Sequence, residues 1–242
     1  MLNGIRPDWS APAHVHALVT TRHGGVSTPP YATLNLAHHV GDDPANVARN
    51  RQLLRQLLPA DPFWLNQVHG TQVTAVDYAR QTPTADASYT RAAKHVCAIL
   101  TADCLPVFFC TPDGDQVALA HAGWRGLAAG VLEATLNCLT VKAKAVKVWL
   151  GAGIGAQAFE VGDEVKAAFV TQSKVYAAAF RPADRPHHWY ADLAELARLR
   201  LQMCGVSEIS GGNFCTYSES DRFYSYRRDA KTGRMASLIW FE

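Results

Sequence analysis

The sequence predicts an α/β fold of the α+β kind, one compact domain over residues 1–242 with mixed sheet layers covered by helices. Three observations predict it. Short apolar runs of strand length, such as Val96–Leu100 (VCAIL) and Val107–Phe109 (VFF), alternate with longer amphipathic segments. The 242 residues are 48% hydrophobic and 18% charged, the balance of a chain that buries a core. No internal repeat, low-complexity linker or shift in composition divides the chain.

The elements follow in order. An opening strand runs from His16 to Thr21, and the glycine-rich loop Arg22–Pro30 follows it. The stretch GDDPANVARNRQLLRQLLP reads as a helix. Asp43 caps it, Pro44 fits its first turn, Val47, Leu54, Leu57 and Leu58 share a face, and Pro59 and Pro62 end it. Strands are expected at Phe63–Leu65, Val73–Asp77, His95–Thr101, Val107–Cys110 and Gln116–Ala120, with TPDGD turning between the last two. A helix over Leu127–Thr140 and a strand over Ala145–Leu150 fit a right-handed crossover. GAGIGA leads to a helix near Asp163–Thr171, and WYADLAELARLRLQMCG is an amphipathic helix that Gly205 stops. FYSYRRDAKTGRMASLIWF reads as strand, turn, strand.

Charge and cysteine usage exclude several function classes. A net charge of +2 offers no basic footprint for nucleic acid. No apolar run reaches the length of a membrane span, and MLNGIRPDWSAPAHV lacks the apolar centre of a signal peptide. Six cysteines without a C-x-x-C pair are too few for a disulfide scaffold and suit a reducing cytoplasm.

Three residues stand where a strand meets a turn: His69 in WLNQVHG, Cys104 in TADCLPV and His121 in HAGWRG. Scaffolds present reactive groups at such places. Two imidazoles and a thiolate also make a three-ligand zinc set with a fourth position left for water or substrate. Cys97, Cys110, Cys138 and His95 read as structural, and His14, His16, His38, His39, His187 and His188 as surface or capping residues. Asp103 is a candidate proton carrier. As a neighbour of Cys104 on a strand it faces the other way, which favours a structural acid bonded to a backbone N–H or an arginine.

The chain resembles the laccase-domain, or polyphenol-oxidoreductase-like, family, which is related to the animal purine enzyme FAMIN. The resemblance rests on TTRHGGVS with PYATLNL, on GDDP followed by NR, and on QVHG, TADCLPV, HAGWRG, FEVG, SYRRD and TGRMA. One departure is the loop GAGIGA at 151–156, where the family pattern carries two prolines. The resemblance implies zinc on His69, Cys104 and His121, with copper as the other metal. It implies one laccase-like domain, shared in fold with certain cysteine hydrolases. The implied activity is phosphorolysis of adenosine, inosine and methylthioadenosine, with adenosine deamination beside it.

Phosphorolysis needs cationic donors. Arg125 precedes a helix start two residues after Gly123, and a guanidinium grips phosphate with two parallel bonds; pairing with an acid is the alternative. Asn35 in TLNL is a candidate for orienting ribose or base, with a turn-forming role as the alternative. The expected partners are a small nucleoside and phosphate, with neither nucleic acid nor membrane. Competing readings are a cysteine hydrolase or amidase editing peptidoglycan precursors, with Cys104 as nucleophile and His121 as base, a copper-dependent polyphenol oxidase, and a structural zinc completed by Cys110 or Asp103. The single H-x-H pair, His14–His16, gives the copper reading little support.

Overall fold

The structure is a computed structural model and describes residues 4–78 and 82–242. In chain order the strands are β1 (Gly4–Ile5), β2 (Val15–Thr20), β3 (Pro62–Phe63), β4 (Val73–Ala75), β5 (Ala87–Thr90), β6 (Val96–Thr101), β7 (Leu105–Cys110) and β8 (Val117–Ala122). They continue as β9 (Lys147–Leu150), β10 (Glu160–Gly162), β11 (Phe180–Pro182), β12 (His188–Ala191), β13 (Glu208–Gly211) and β14 (Met235–Phe241). The helices are α1 (Pro44–Arg55), α2 (Trp124–Ala129), α3 (Val131–Leu136), α4 (Asp163–Val170), α5 (Leu193–Met203) and α6 (Tyr226–Asp229).

Two mixed sheets lie face to face. One has the order β1-β2-β14-β6-β3 and the other β13-β9-β7-β8-β5-β4, while β10-β12-β11 form a small third sheet. Strand alternation explains the layers. On β6, Cys97 and Ile99 enter the core between the sheets together with Phe108, Leu119 and Ile239. Val96, Ala98 and Leu100 point the other way, to a core that Leu54 of α1 shares. On β7 and β8, Val107, Phe109, Ala118 and Ala120 pack under Leu127, Leu132, Leu196 and Leu201 of the covering helices. Because both faces are covered, these strands are apolar throughout rather than alternating with polar residues. The result is the expected mixed α/β architecture. Among the described residues, no helix is long and apolar enough to cross a membrane.

Several local expectations hold and others need correction. The Asp43 side chain accepts from Ala45 N at 2.8 Å and Pro44 starts α1. Leu57, assigned to the apolar face, is 48% exposed because α1 ends at Arg55, before it. The helix expected over 127–140 is two helices, starting earlier and broken at Gly130, whose φ of +104° suits glycine alone. Both β8 and β9 are antiparallel to β7 between them, so they run parallel to each other and are joined through α2 and α3. The segment before TGRM is no strand: Tyr226–Asp229 is a helical turn capped by Ser225. The GAGIGA loop is tied down despite lacking prolines, by Gly151 N on Pro106 O, Ile154 N on Asp103 O, and Gly155 N on the Cys215 sulfur.

Candidate metal centre

The Gln67–Gly70 loop is fixed from two sides. The Gln67 amide acts as a surrogate strand residue against β6, donating to Leu100 O at 2.9 Å and accepting from Leu100 N at 2.8 Å. The backbone N–H groups of Val68, His69 and Gly70 then converge on the Asp86 carboxylate at 3.2, 2.9 and 2.7 Å. This grip holds His69 at φ +60°, a left-handed conformation for which histidine is comparatively suited.

Cys104 arises from a change of sheet. β6 ends at Thr101 in one layer and β7 begins at Leu105 in the other, so residues 102–104 cross between them. Asp103 makes the bend with φ +94°. Its oxygens accept from Thr216 Oγ1 and from Arg227 N, each at 2.7 Å. Asp103 is therefore bonded to a backbone N–H, as the structural reading of it requires. Pro106, which has no N–H, pairs in register with His121 of β8, and that places Cys104 diagonally across from the imidazole.

His121 is 3% exposed, and its Nδ1 lies 2.8 Å from Asp86 Oδ1. The fully buried Asp86 carboxylate thus fixes both histidines, one through its ring and one through its backbone. A donor on Nδ1 leaves the other ring nitrogen free as a ligand. The ligand atoms of His69, Cys104 and His121 all lie within 4.8 Å of one another, with Cys104 Sγ 3.8 Å from His69 Nε2 and the two rings edge to face at 4.8 Å. Among the described residues this is the one such cluster. Cys110 is fully buried at the far end of β7, and Asp103 is engaged elsewhere, so neither completes a four-ligand cage. Two nitrogens and one thiolate fit a borderline-soft cation.

Electrostatics follow from this placement. Burial pushes the Cys104 thiol up, but the His121 and His69 rings outweigh it and bring it down to about 6. Burial lowers His121, yet Cys104 and Asp86 outweigh it and raise the imidazole. Burial, with a smaller push from Asp77 and Glu208 respectively, takes Cys97 and Cys110 up to about 12, in keeping with their structural reading.

Glycines make the approach possible. A Cβ on Gly123 would stand 2.9 Å from both Cys104 Sγ and His69 Cδ2, and one on Gly126 would stand 2.8 Å from Gly70 O. Gly123→Ala is expected to weaken metal binding about tenfold or more while the domain stays folded, since overpacking costs about 1–3 kcal/mol. Zinc competition against a chelator checks this, and unchanged affinity would contradict it.

The cluster opens into a cleft of about 610 Å³ lined also by His39, Asn66, Gln67, Leu100, Tyr226 and Arg234. Sequence reasoning gave His39 to the surface and gave Tyr226 and Arg234 no role; only their place in the SYRRD and TGRMA motifs pointed to them. Arg125 does not line this cleft. It is exposed and its guanidinium lies over the Trp124 ring at 4.4 Å. Asn35 is fully buried and bonded within the protein. Its amide donates to Asp42 Oδ2 and Ala37 O, and its Oδ1 accepts from Ala37 N and Arg234 N.

A mixed α/β sandwich with a two-histidine, one-cysteine cluster at its sheet ends defines the class. Residues 16–242 match the family described as multi-copper polyphenol oxidoreductase laccase, and the chain belongs to that family. It is 52% identical over 238 residues to a purine nucleoside phosphorylase of Pseudomonas aeruginosa, covering 98% of each chain. It is 50% identical over 242 residues to purine nucleoside phosphorylase YfiH of Escherichia coli, again covering 98% of each. The crystal structure of Neisseria meningitidis protein NMB0706 superposes with a TM-score of 0.95 at 49% identity, over 99% of both chains.

Proposed function

We propose that this protein is a zinc-dependent purine nucleoside phosphorylase taking adenosine, inosine and methylthioadenosine, with adenosine deamination as a side activity. The observation that carries the reading is the three-ligand cluster on the wall of an open cleft, in a chain half identical to proteins named purine nucleoside phosphorylase. His69, Cys104 and His121 would hold the ion, and one cluster of three ligands serves one ion, which favours zinc over a multi-copper arrangement. Bound there, zinc supplies Lewis acidity at its open position.

The chain's own residues do the rest. Asp86 keeps the His121 Nδ1 proton in place and clamps the loop that carries His69. Leu65, Leu100 and Ala102 give the cleft an apolar wall against which a base can shed water. In phosphorolysis a phosphate oxygen bonds to C1′ of the ribose as the C1′–N9 bond breaks. The electron pair stays with the purine, which takes up a proton. The six free cysteines support a reducing cytoplasm as the working compartment.

Zinc-loaded protein incubated with adenosine should release adenine and ribose 1-phosphate only when phosphate is present, with a smaller yield of inosine in either case. Phosphate-independent product alone would contradict phosphorolysis.

The side-chain bond between Cys104 and His121 favours a second reading, a cysteine hydrolase or amidase acting on peptidoglycan precursors with Cys104 as nucleophile and His121 as base. Alkylation separates the two. In metal-free protein the rate at Cys104 should rise with pH to half its maximum at about 6, and bound zinc should suppress it. Activity that survives zinc removal but is lost on alkylation would favour the hydrolase.

A further inference from the structure

The cleft contains a cation that no carboxylate among the described residues pairs with at salt-bridge distance, although the Tyr226 ring lies 5.8 Å from its guanidinium. Arg234 lies just before β14 and lines the same cleft as the metal cluster. Its position is set by four bonds. Its backbone N–H donates to Asn35 Oδ1 at 3.0 Å, its carbonyl accepts from Leu36 N at 3.4 Å, and its Nη1 donates to Thr232 O and Gly233 O at 2.9 and 3.0 Å. Among the described residues no carboxylate pairs with it, and its side-chain hydrogen bonds both leave from Nη1, none from Nε or Nη2. Those two groups form one edge of the guanidinium fork, the edge that receives an oxyanion through two parallel bonds.

The surroundings answer this charge only in part, through the Tyr226 ring and the more distant charges of Cys104 and Asp103. No aspartate or glutamate lines the cleft. Asp103, whose charge reaches Arg234, spends its oxygens on Thr216 and Arg227 N, and the Asp86 carboxylate beside the metal cluster is spent on His121 and three backbone N–H groups. His39, also on the cleft wall, adds a ring donor, and Arg51 adds positive potential behind it. Holding a half-buried guanidinium without a directly paired carboxylate is costly, and an arriving oxyanion offsets that cost. Arg125, by contrast, rests in solvent on Trp124.

We propose that Arg234, assisted by His39, is the inorganic phosphate subsite of this cleft, and that Asn35 serves as its positioning residue. The phosphate role rests on the phosphorolytic reading; the oxyanion subsite itself rests on geometry. Asn35 thereby serves the site without touching substrate, by holding the Arg234 backbone. The arrangement places a phosphate in the same cleft as the metal cluster, where a nucleoside held at that cluster would present its ribose.

Calorimetric titration of the zinc-loaded full chain with inorganic phosphate, against chloride of matched ionic strength, tests the subsite without requiring turnover. Wild type should bind phosphate. Arg234→Gln should weaken it at least about tenfold, Arg234→Lys less because a point charge replaces the fork, and Arg125→Ala within about twofold. If the glutamine variant does not fold, the lysine variant still reads the loss of the fork. Phosphate affinity unchanged in the folded Arg234 variants, a loss confined to Arg125→Ala, or no phosphate heat in wild type would each overturn the assignment. Phosphate binding that depends on Arg234 without nucleoside cleavage would uphold the subsite while removing the phosphorylase reading.

Discussion

Asp86→Ala is expected to weaken zinc binding about 10–100-fold and to cost about 3 kcal/mol or more of stability. The residue is fully buried and its carboxylate receives four donors, the His121 ring and the N–H groups of Val68, His69 and Gly70. Alanine leaves those backbone donors without their acceptor, frees the loop that holds His69 in a left-handed conformation, and lets the His121 ring choose the wrong tautomer. Asp86→Asn separates these effects. An amide keeps one acceptor oxygen but turns an NH₂ toward donors, so it should retain the fold better than alanine and still bind zinc poorly. Chelator competition measures the affinity and urea unfolding the stability. An alanine variant matching wild type in both would show that the four hydrogen bonds do not organise the site.

The second large effect concerns the cluster itself. His69→Ala, Cys104→Ala and His121→Ala should each abolish stoichiometric zinc and nucleoside cleavage in a protein that remains folded. Their stabilities should differ. His69 is exposed, and the main cost of its loss is placing alanine at φ +60°, so metal-free stability should change by about 1 kcal/mol or less. His121 is buried against Asp86, and its removal leaves a buried carboxylate without its ring partner, a change costing about 1–3 kcal/mol. A variant that keeps full zinc occupancy and turnover would remove its residue from the ligand set. A His69→Ala protein as destabilised as His121→Ala would show that His69 carries structure rather than metal.

The parts of the fold visible in the sequence are those that local chemistry dictates. The Asp43–Pro44 start of α1, the TPDGD hairpin and the apolar runs of β6 and β7 depend on neighbours a few residues away. The break at Gly130 was hidden because both halves of the segment share one apolar face against the sheet. β10–β13 were missed because they are short and only partly buried, with no two-residue alternation to expose them.

The same distinction applies to the site. His69, Cys104 and His121 were marked by residue type at strand ends, and the structure brings all three together. Asp86 gave no local signal, since it becomes important only when β5 pairs with β8 and lays it beside His121. Asn35 stands out in TLNL, but its contact with the cleft runs through the backbone of Arg234, 199 residues along the chain.

Zinc K-edge X-ray absorption on the loaded protein tests the central claim most directly. The account predicts one zinc per chain with one sulfur at about 2.3 Å and nitrogen or oxygen neighbours at about 2.0–2.1 Å, two of them imidazole, and one light-atom position that changes when nucleoside is added. A spectrum without sulfur, or a fourth protein ligand and no response to nucleoside, would contradict it.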